Sequence, residues 1–319
     1  MTELVAESAP IAVIGTGTMG AMIGLSFARA GLAVRLWSND PISIAKAQTA
    51  IAASVSVMER KGLIKGESAA VLGRIYWSTT LEEAVDSVGV VVEAVPENRI
   101  IKQALFEELA EVVDCRAAIW SNTSSLDVFT LAPVALQERL VIAHWFHPAH
   151  ILPLVEVIRG PLTREDVVKS AIDLLRTMDK TPVVIQSYIA GFAINRLLRA
   201  LGREAFYLLD NNYISVEDLD VAVKTSIAPR MLLLGLMQRY DFTDLRISAA
   251  NLANPEFVDA PADSSPAALM THLERGEFGV KTGRGFYDYG TRSEGEILAT
   301  YEENLWDVFM NAPDVLGAD

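Results

Sequence analysis

Apolar and polar positions along this chain follow two periods. Residues 11–14, Ile-Ala-Val-Ile, run without a break into Gly15, Gly17 and Gly20, and an alanine-rich apolar stretch follows over 21–30. That order predicts a buried strand, a tight turn and a helix. Gly31 turns the chain into a second apolar-rich strand at 33–37, and residues 42–78 read as two helices around a turn at 62–66. Residues 88–95 are apolar apart from Gly89 and Glu93, as expected of a strand covered on both faces of a parallel sheet. A helix at 100–113 and strands at 117–121, 140–143, 153–158 and 183–185 complete the first part. From residue 190 the period turns helical through Phe192, Leu197, Leu198, Leu201, Ala205, Leu208 and Leu209, with no further strand series. Ser215-Val216-Glu217-Asp218 has the form of a capping box, and 255–266 reads as a surface loop. The predicted architecture is α/β, with a parallel-sheet domain over residues 1–187 and an all-α domain over residues 188–319.

Composition narrows the class. At 319 residues, with 51% apolar and 21% charged positions, the chain can bury a large core and is globular. Its net charge of −14 argues against nucleic acid or a membrane surface as a partner, while leaving room for a local basic pocket. Cys115 is the single cysteine, which excludes an internal disulfide and a cysteine-based metal site. Residues 1–7 lack the basic start of a signal peptide, and no apolar run reaches the roughly 20 residues that span a bilayer. The expectation is a cytoplasmic protein.

The spacing of Gly15, Gly17 and Gly20 is GxGxxG, in the strand–turn–helix context that binds a dinucleotide. The first glycine permits the turn, the second lets backbone approach a pyrophosphate, and the third lets helix lie against strand. The phosphates then meet the helix N-terminus, where free N–H groups and the dipole favour negative charge. An acid usually ends the second strand and holds the ribose; here Ser38 and Asn39 stand there, followed by Asp40. Loss of that acid permits NADP, but no arginine follows and Asp40 would repel a 2′-phosphate, so the expected cofactor is NAD. Arg60, Lys61 and Lys65 cluster near the 62–66 turn, either as a solvated helix end or as an edge for a nucleotide-bearing substrate.

Six segments in order make the chain similar to the 3-hydroxyacyl-CoA dehydrogenase family. They are the glycine turn, Val92-Glu93-Ala94-Val95-Pro96-Glu97-Asn98, Ser121-Asn122-Thr123-Ser124-Ser125, residues 144–158, Gly191-Phe192-Ala193-Ile194-Asn195-Arg196, and Lys281-Thr282-Gly283-Arg284-Gly285-Phe286-Tyr287. The resemblance implies a Rossmann-like N-terminal domain, a helical C-terminal domain, and a homodimer. It also implies His144 as catalytic base, Glu156 as its partner, and Ser124 and Asn195 at the reacting part of the substrate. Thr18, Met19, Ser38, Asn39, Glu97, Lys102 and Asn122 join the glycines as expected cofactor contacts.

The residue types suit the chemistry. Oxidising a secondary alcohol requires a group that takes the hydroxyl proton, and histidine titrates near physiological pH. Glu156 lies among Leu154, Val155, Val157 and Ile158, where a carboxylate needs a partner. His144, His147 and His150 come at three-residue spacing, but Pro148 interrupts them and no carboxylate or cysteine lies at ligand spacing, so no metal is expected. Two departures from the family bear on substrate. His147 stands where asparagine is common, and Arg230, in Ser226-Ile227-Ala228-Pro229-Arg230, looks like the members that oxidise free hydroxy acids such as gulonate or carnitine. An arginine can clamp a carboxylate bidentately, which a thioester does not offer. The expected reaction is therefore NAD-dependent oxidation of an L-3-hydroxyacyl compound to the 3-keto product, with a free hydroxy acid of gulonate, carnitine or aromatic hydroxymethyl type, held by Arg230, as the alternative substrate. A nucleotide-binding protein that has lost catalysis is a further alternative, against which the retained Ser124, His144, Glu156 and Asn195 argue.

Overall fold

The computed structural model describes residues 9–311, so the N-terminal stretch read for a leader lies outside the described residues. The chain divides into two compact units, the first running to Asn195 and the second beginning at Arg196.

The first unit is built on eight strands: β1 (Ile11–Ile14), β2 (Val34–Trp37), β3 (Ile75–Ser78), β4 (Val90–Glu93), β5 (Ala118–Ser121), β6 (Leu140–Trp145), β7 (Leu154–Arg159) and β8 (Thr181–Ile185). Its helices are α1 (Thr18–Arg29), α2 (Pro41–Arg60), α3 (Ser68–Gly73), α4 (Leu81–Val85), α5 (Arg99–Val112), α6 (Val134–Gln137) and α7 (Glu165–Thr177). The strands lie in the order β3-β2-β1-β4-β5-β6-β7-β8. This is a Rossmann-like order, which reverses between β1 and β4 and opens a crevice at the strand ends there. All of β1, β4 and β5 is buried, as their continuous apolar runs require. On one side of the sheet, Ala12, Ile14 and Val91 pack with Leu105, Phe106 and Leu109 of α5.

Two features depart from the pattern read along the chain. Residues 75–78, expected within a helical stretch, form the edge strand β3, a four-residue segment paired on one side only, with Tyr76 exposed. The sheet is also not wholly parallel, because β7 runs antiparallel to β6. The link over 146–153 is too short for the crossover of a dozen or more residues that parallel neighbours need.

That link is tied down from β8's side. Lys180 donates to the carbonyls of Ala149 (2.7 Å) and Leu152 (3.0 Å) and lies 5.3 Å from the Trp145 ring. Burial, reinforced by the Arg29 guanidinium and opposed by Asp179, brings its ammonium down to about 7. Between that value and the ordinary 10.5 the unfolded chain binds the extra proton, so stability rises with pH there and is flat below. The expected slope is up to about 1.4 kcal/mol per pH unit. Urea midpoints of the wild type relative to Lys180→Met should climb from pH 7 to 10; a constant difference would contradict the buried titration.

The second unit is helical, comprising α8 (Ile194–Asp210, which begins at the end of the first unit), α9 (Val216–Ala222), α10 (Ala228–Thr243), α11 (Leu245–Leu252), α12 (Ala267–Glu274) and α13 (Glu294–Asn311). Ser215 caps α9, accepting the Asp218 N–H as the capping box requires. Residues 223–227 form a π-helical turn leading into α10, and Gly235 (φ +70°) breaks α10 internally. Only Ala260, Ile297 and Trp306 are buried apolar residues of this unit among those described. No helix among the described residues is long and apolar enough to cross a membrane.

Candidate active site

The glycine turn sits at the point where the strand order reverses. Gly15 has φ +111°, and a Cβ there would lie 2.5 Å from the Ala94 carbonyl oxygen at the end of β4. A Cβ on Gly20 would collide with the Gly15 carbonyl, whereas one on Gly17 would meet nothing within 4 Å. Gly17 is the N-cap of α1 and supplies no side-chain cap, so the first N–H groups of the helix face open space near exposed Thr18. These residues fit a dinucleotide pyrophosphate. Ser38 and Asn39 follow β2, and Asp40 caps α2 by accepting from Ile42 (3.0 Å) and Ser43 (3.2 Å). Met19 is half-buried in the first turn of α1.

Further along the same ends of the strands, β4 and β5 hold a buried charge network. Glu93 and Lys102 are 0% and 1% exposed and pair at 2.6 Å. Glu93 also accepts from Ser121 Oγ (2.5 Å) and the Val95 N–H (2.9 Å), and Lys102 reaches Glu97 at 3.4 Å. One oxygen of Glu97 faces five donors: Thr123 Oγ1 at 2.7 Å, the N–H and Oγ of Ser124 at 3.0 and 3.2 Å, and those of Ser125 at 2.9 and 3.0 Å. Burial pushes the Glu97 carboxyl up, but Thr123, Lys102 and the serine donors outweigh it and bring the value to about 2. The carboxylate therefore only accepts. Ser124 Oγ makes the longest of the five contacts and is the donor most easily given up to a ligand. Asn122 accepts the Trp145 N–H (2.9 Å), pinning the end of β6. Glu97, Lys102 and Asn122 are among the residues expected at the cofactor, but their network with Glu93, Ser121 and Thr123 has no signal in the spacing, although Glu93 in an apolar strand carries the same signal that singled out Glu156.

The antiparallel register of β6 and β7 sets His144 directly opposite Glu156, both buried. Nδ1 of His144 lies 2.9 Å from Glu156 Oε2. The other oxygen, Oε1, accepts the N–H groups of Ala193 (2.9 Å) and Ile194 (3.0 Å), two of the unsatisfied donors at the start of α8. Burial raises the Glu156 carboxyl, yet the His144 hydrogen bond and the two N–H groups hold it below the ordinary carboxylate value. An ionised carboxylate cannot donate, so the proton of the pair sits on Nδ1 and leaves the Nε2 lone pair free. Phe146 and Phe192 flank the imidazole, with centroids at 4.5 and 5.3 Å.

Asn195, half-buried, immediately follows the segment that Glu156 holds, so this single carboxylate positions both the base and the start of α8. His147 is exposed at the tip of the β6–β7 link, followed by a cis peptide bond to Pro148. His150 is buried apart from the dyad, in a small cleft with Ser26, Arg29 and Lys180. In the second unit, Arg230 donates to the Ser226 carbonyl (2.9 Å) and Oγ (2.8 Å) across the π-helical turn.

Comparison with known proteins identifies the family. Residues 10–188 match the 3-hydroxyacyl-CoA dehydrogenase NAD-binding domain, and residues 191–289 match the C-terminal domain of the same enzymes. The chain is 31% identical over 282 residues to 5-formyl-3-hydroxy-2-methylpyridine 4-carboxylate 5-dehydrogenase of Mesorhizobium japonicum, covering 88% of this chain and 90% of that protein. It is 32% identical over 282 residues to 3-hydroxybutyryl-CoA dehydrogenase of Mycobacterium tuberculosis, covering 88% and 98%. A crystal structure of a 5-formyl-3-hydroxy-2-methylpyridine 4-carboxylic acid 5-dehydrogenase, described as an NAD+-dependent dismutase, superimposes with a TM-score of 0.85 at 29% identity over 98% of this chain and 100% of that one. The chain belongs to the 3-hydroxyacyl-CoA dehydrogenase family and is an NAD-dependent dehydrogenase acting on a CH–OH group.

Proposed function

We propose that the chain oxidises the hydroxyl of a free hydroxy acid, with His144 as general base. The observation that carries the chemistry is the His144–Glu156 pair at 2.9 Å, with its acceptor-only carboxylate. His144 Nε2 takes the hydroxyl proton, and Glu156 stabilises the imidazolium that results. Ser124 Oγ and the Asn195 amide donate to the substrate oxygen, which carries negative charge when the reaction runs toward reduction. The glycine turn would hold NAD, which would supply the hydride acceptor. Thr18, Met19, Ser38, Asn39, Glu97, Lys102 and Asn122 line or brace the cofactor side; Lys102 and Asn122 act through the groups they hold.

Arg230, braced by Ser226, supports a carboxylate substrate, and exposed His147 is proposed separately as an anion contact of the first unit. The pyridine-carboxylate relative supports the same class, and a hydrated aromatic aldehyde would also present a CH–OH. Arg60, Lys61 and Lys65 favour the second reading, an L-3-hydroxyacyl-CoA, whose phosphates they would meet. NADH formation should be measured with L-gulonate, L-carnitine, L-3-hydroxybutyrate and an aromatic formyl carboxylate against L-3-hydroxybutyryl-CoA. Turnover of a free acid is expected, with KM raised about 10- to 100-fold in Arg230→Ala by loss of a charge-assisted clamp. Turnover of the thioester alone, with an unchanged KM in that variant, would overturn the free-acid reading.

The leucines exposed on α8 (Leu197, Leu198 and Leu201 at 44, 57 and 54%) support a homodimer formed through the helical unit. The exposed thiol of Cys115 supports a cytoplasmic setting.

A further inference from the structure

Helix α8 has a second face. Arg196, Arg199 and Arg203 stand three and four residues apart, so they project from one side and span about 10 Å of helix. Leu197, Leu201 and Leu208 fall on the opposite side at 100° per residue. The arginine side faces a cavity of about 760 Å³, also lined by Phe206, Asp263 and Ser264. A merely solvated stripe would have no opposing wall. Here the loop over 260–266 supplies one, and α8 fastens both its ends. Glu204 accepts the Ala260 N–H (3.2 Å), and Asp210 accepts those of Ala267 (2.8 Å) and Ala268 (2.6 Å). The carboxylates of α8 nearest the arginines are thereby engaged by backbone. Asp263, on the wall, accepts from the Ser265 N–H (2.8 Å). Arg199 and Arg203 form no hydrogen bond or ion pair among the described residues.

We propose that this cavity binds a phosphorylated small molecule carrying at least two adjoining anionic groups, with Arg199 and Arg203 as its main contacts. Guanidinium groups present paired donors that match phosphate oxygens, and spacings of about 4.5 and 6 Å along the helix let neighbouring phosphates share them. Phe206, three residues beyond Arg203, offers an apolar surface to the organic part. The net charge of −14 repels an extended polyanion such as RNA, but a compact ligand enters a recess whose contacts lie within a Debye length.

The test is calorimetric titration of the NADH-saturated protein with inorganic tripolyphosphate, NADH having filled the glycine turn. One site per chain is expected, binding tripolyphosphate more tightly than orthophosphate and weakening as salt rises. Arg199→Gln/Arg203→Gln should weaken it about tenfold or more while NADH affinity stays unchanged. Both side chains are exposed and unpaired, so this variant folds normally. Absence of binding, or equal binding by the variant, would overturn the proposal. So would loss of binding in Arg60→Gln/Lys61→Gln/Lys65→Gln instead, which would move the anion to the first unit. A changed sedimentation coefficient of the arginine variant without ligand would also overturn it, by making these arginines contacts between copies.

Discussion

Replacing His144 with glutamine is expected to lower kcat by about 10²- to 10⁴-fold, the range contributed by a positioned general base. Glutamine keeps the approximate volume of the imidazole and can still donate to Glu156 Oε2, so the buried carboxylate is not left without a partner. It has no basic lone pair for the hydroxyl proton. NADH affinity, read from the fluorescence of the bound cofactor, should be unchanged because the glycine turn belongs to β1 and α1. Turnover near the wild-type rate would remove His144 from the role of base. A joint loss of turnover and NADH binding would point instead to a disrupted sheet.

The second large effect concerns stability. Lys102→Met should cost about 3–5 kcal/mol, because it removes the cation from a fully buried pair and strands the Glu93 carboxylate in the sheet. Ser121 and the Val95 N–H would remain on Glu93, but neither carries a charge. Urea unfolding followed by tryptophan fluorescence reports on this directly, since Trp37, Trp77, Trp120 and Trp145 all belong to the first unit. The double variant Glu93→Gln/Lys102→Met should be less destabilised than the sum of its single changes, as coupled neighbours are. A Lys102→Met midpoint equal to the wild type would show that the network contributes little. Because Lys102 also approaches Glu97, the same variant should loosen the loop bearing Ser124 and lower kcat more than it raises KM.

Much of the first unit was legible because its signals are local. An unbroken apolar run followed by GxGxxG dictates strand, turn and helix through sterics and burial, and the structure has these elements in that order. Glu156 was legible for a different reason: a carboxylate inside an apolar strand must find a partner, and His144 was the candidate on the preceding strand. The capping box at Ser215 likewise rests on a bond spanning three residues.

What the chain could not display in one dimension was settled by contacts between residues far apart along it. Strand β3 pairs along the open edge of β2; its Ile75, Tyr76 and Trp77 suit a strand, but four residues are too few to show a period of their own. The antiparallel turn of β7 sets the register that puts His144 against Glu156, and a shift of one residue would point the two side chains to opposite faces. Lys102, expected as a cofactor contact, is almost wholly buried and pairs with Glu93, since α5 packs its Leu105, Phe106 and Leu109 onto the sheet. The second oxygen of Glu156 finds its donors 37 and 38 residues away, at the start of α8. Sequence alone determined the periods, the glycine turn and the need of each buried charge for a partner, because these follow from local sterics and desolvation. Only the tertiary structure decided which partner each charge received, because strand order, register and helix docking bring together residues that no spacing along the chain connects.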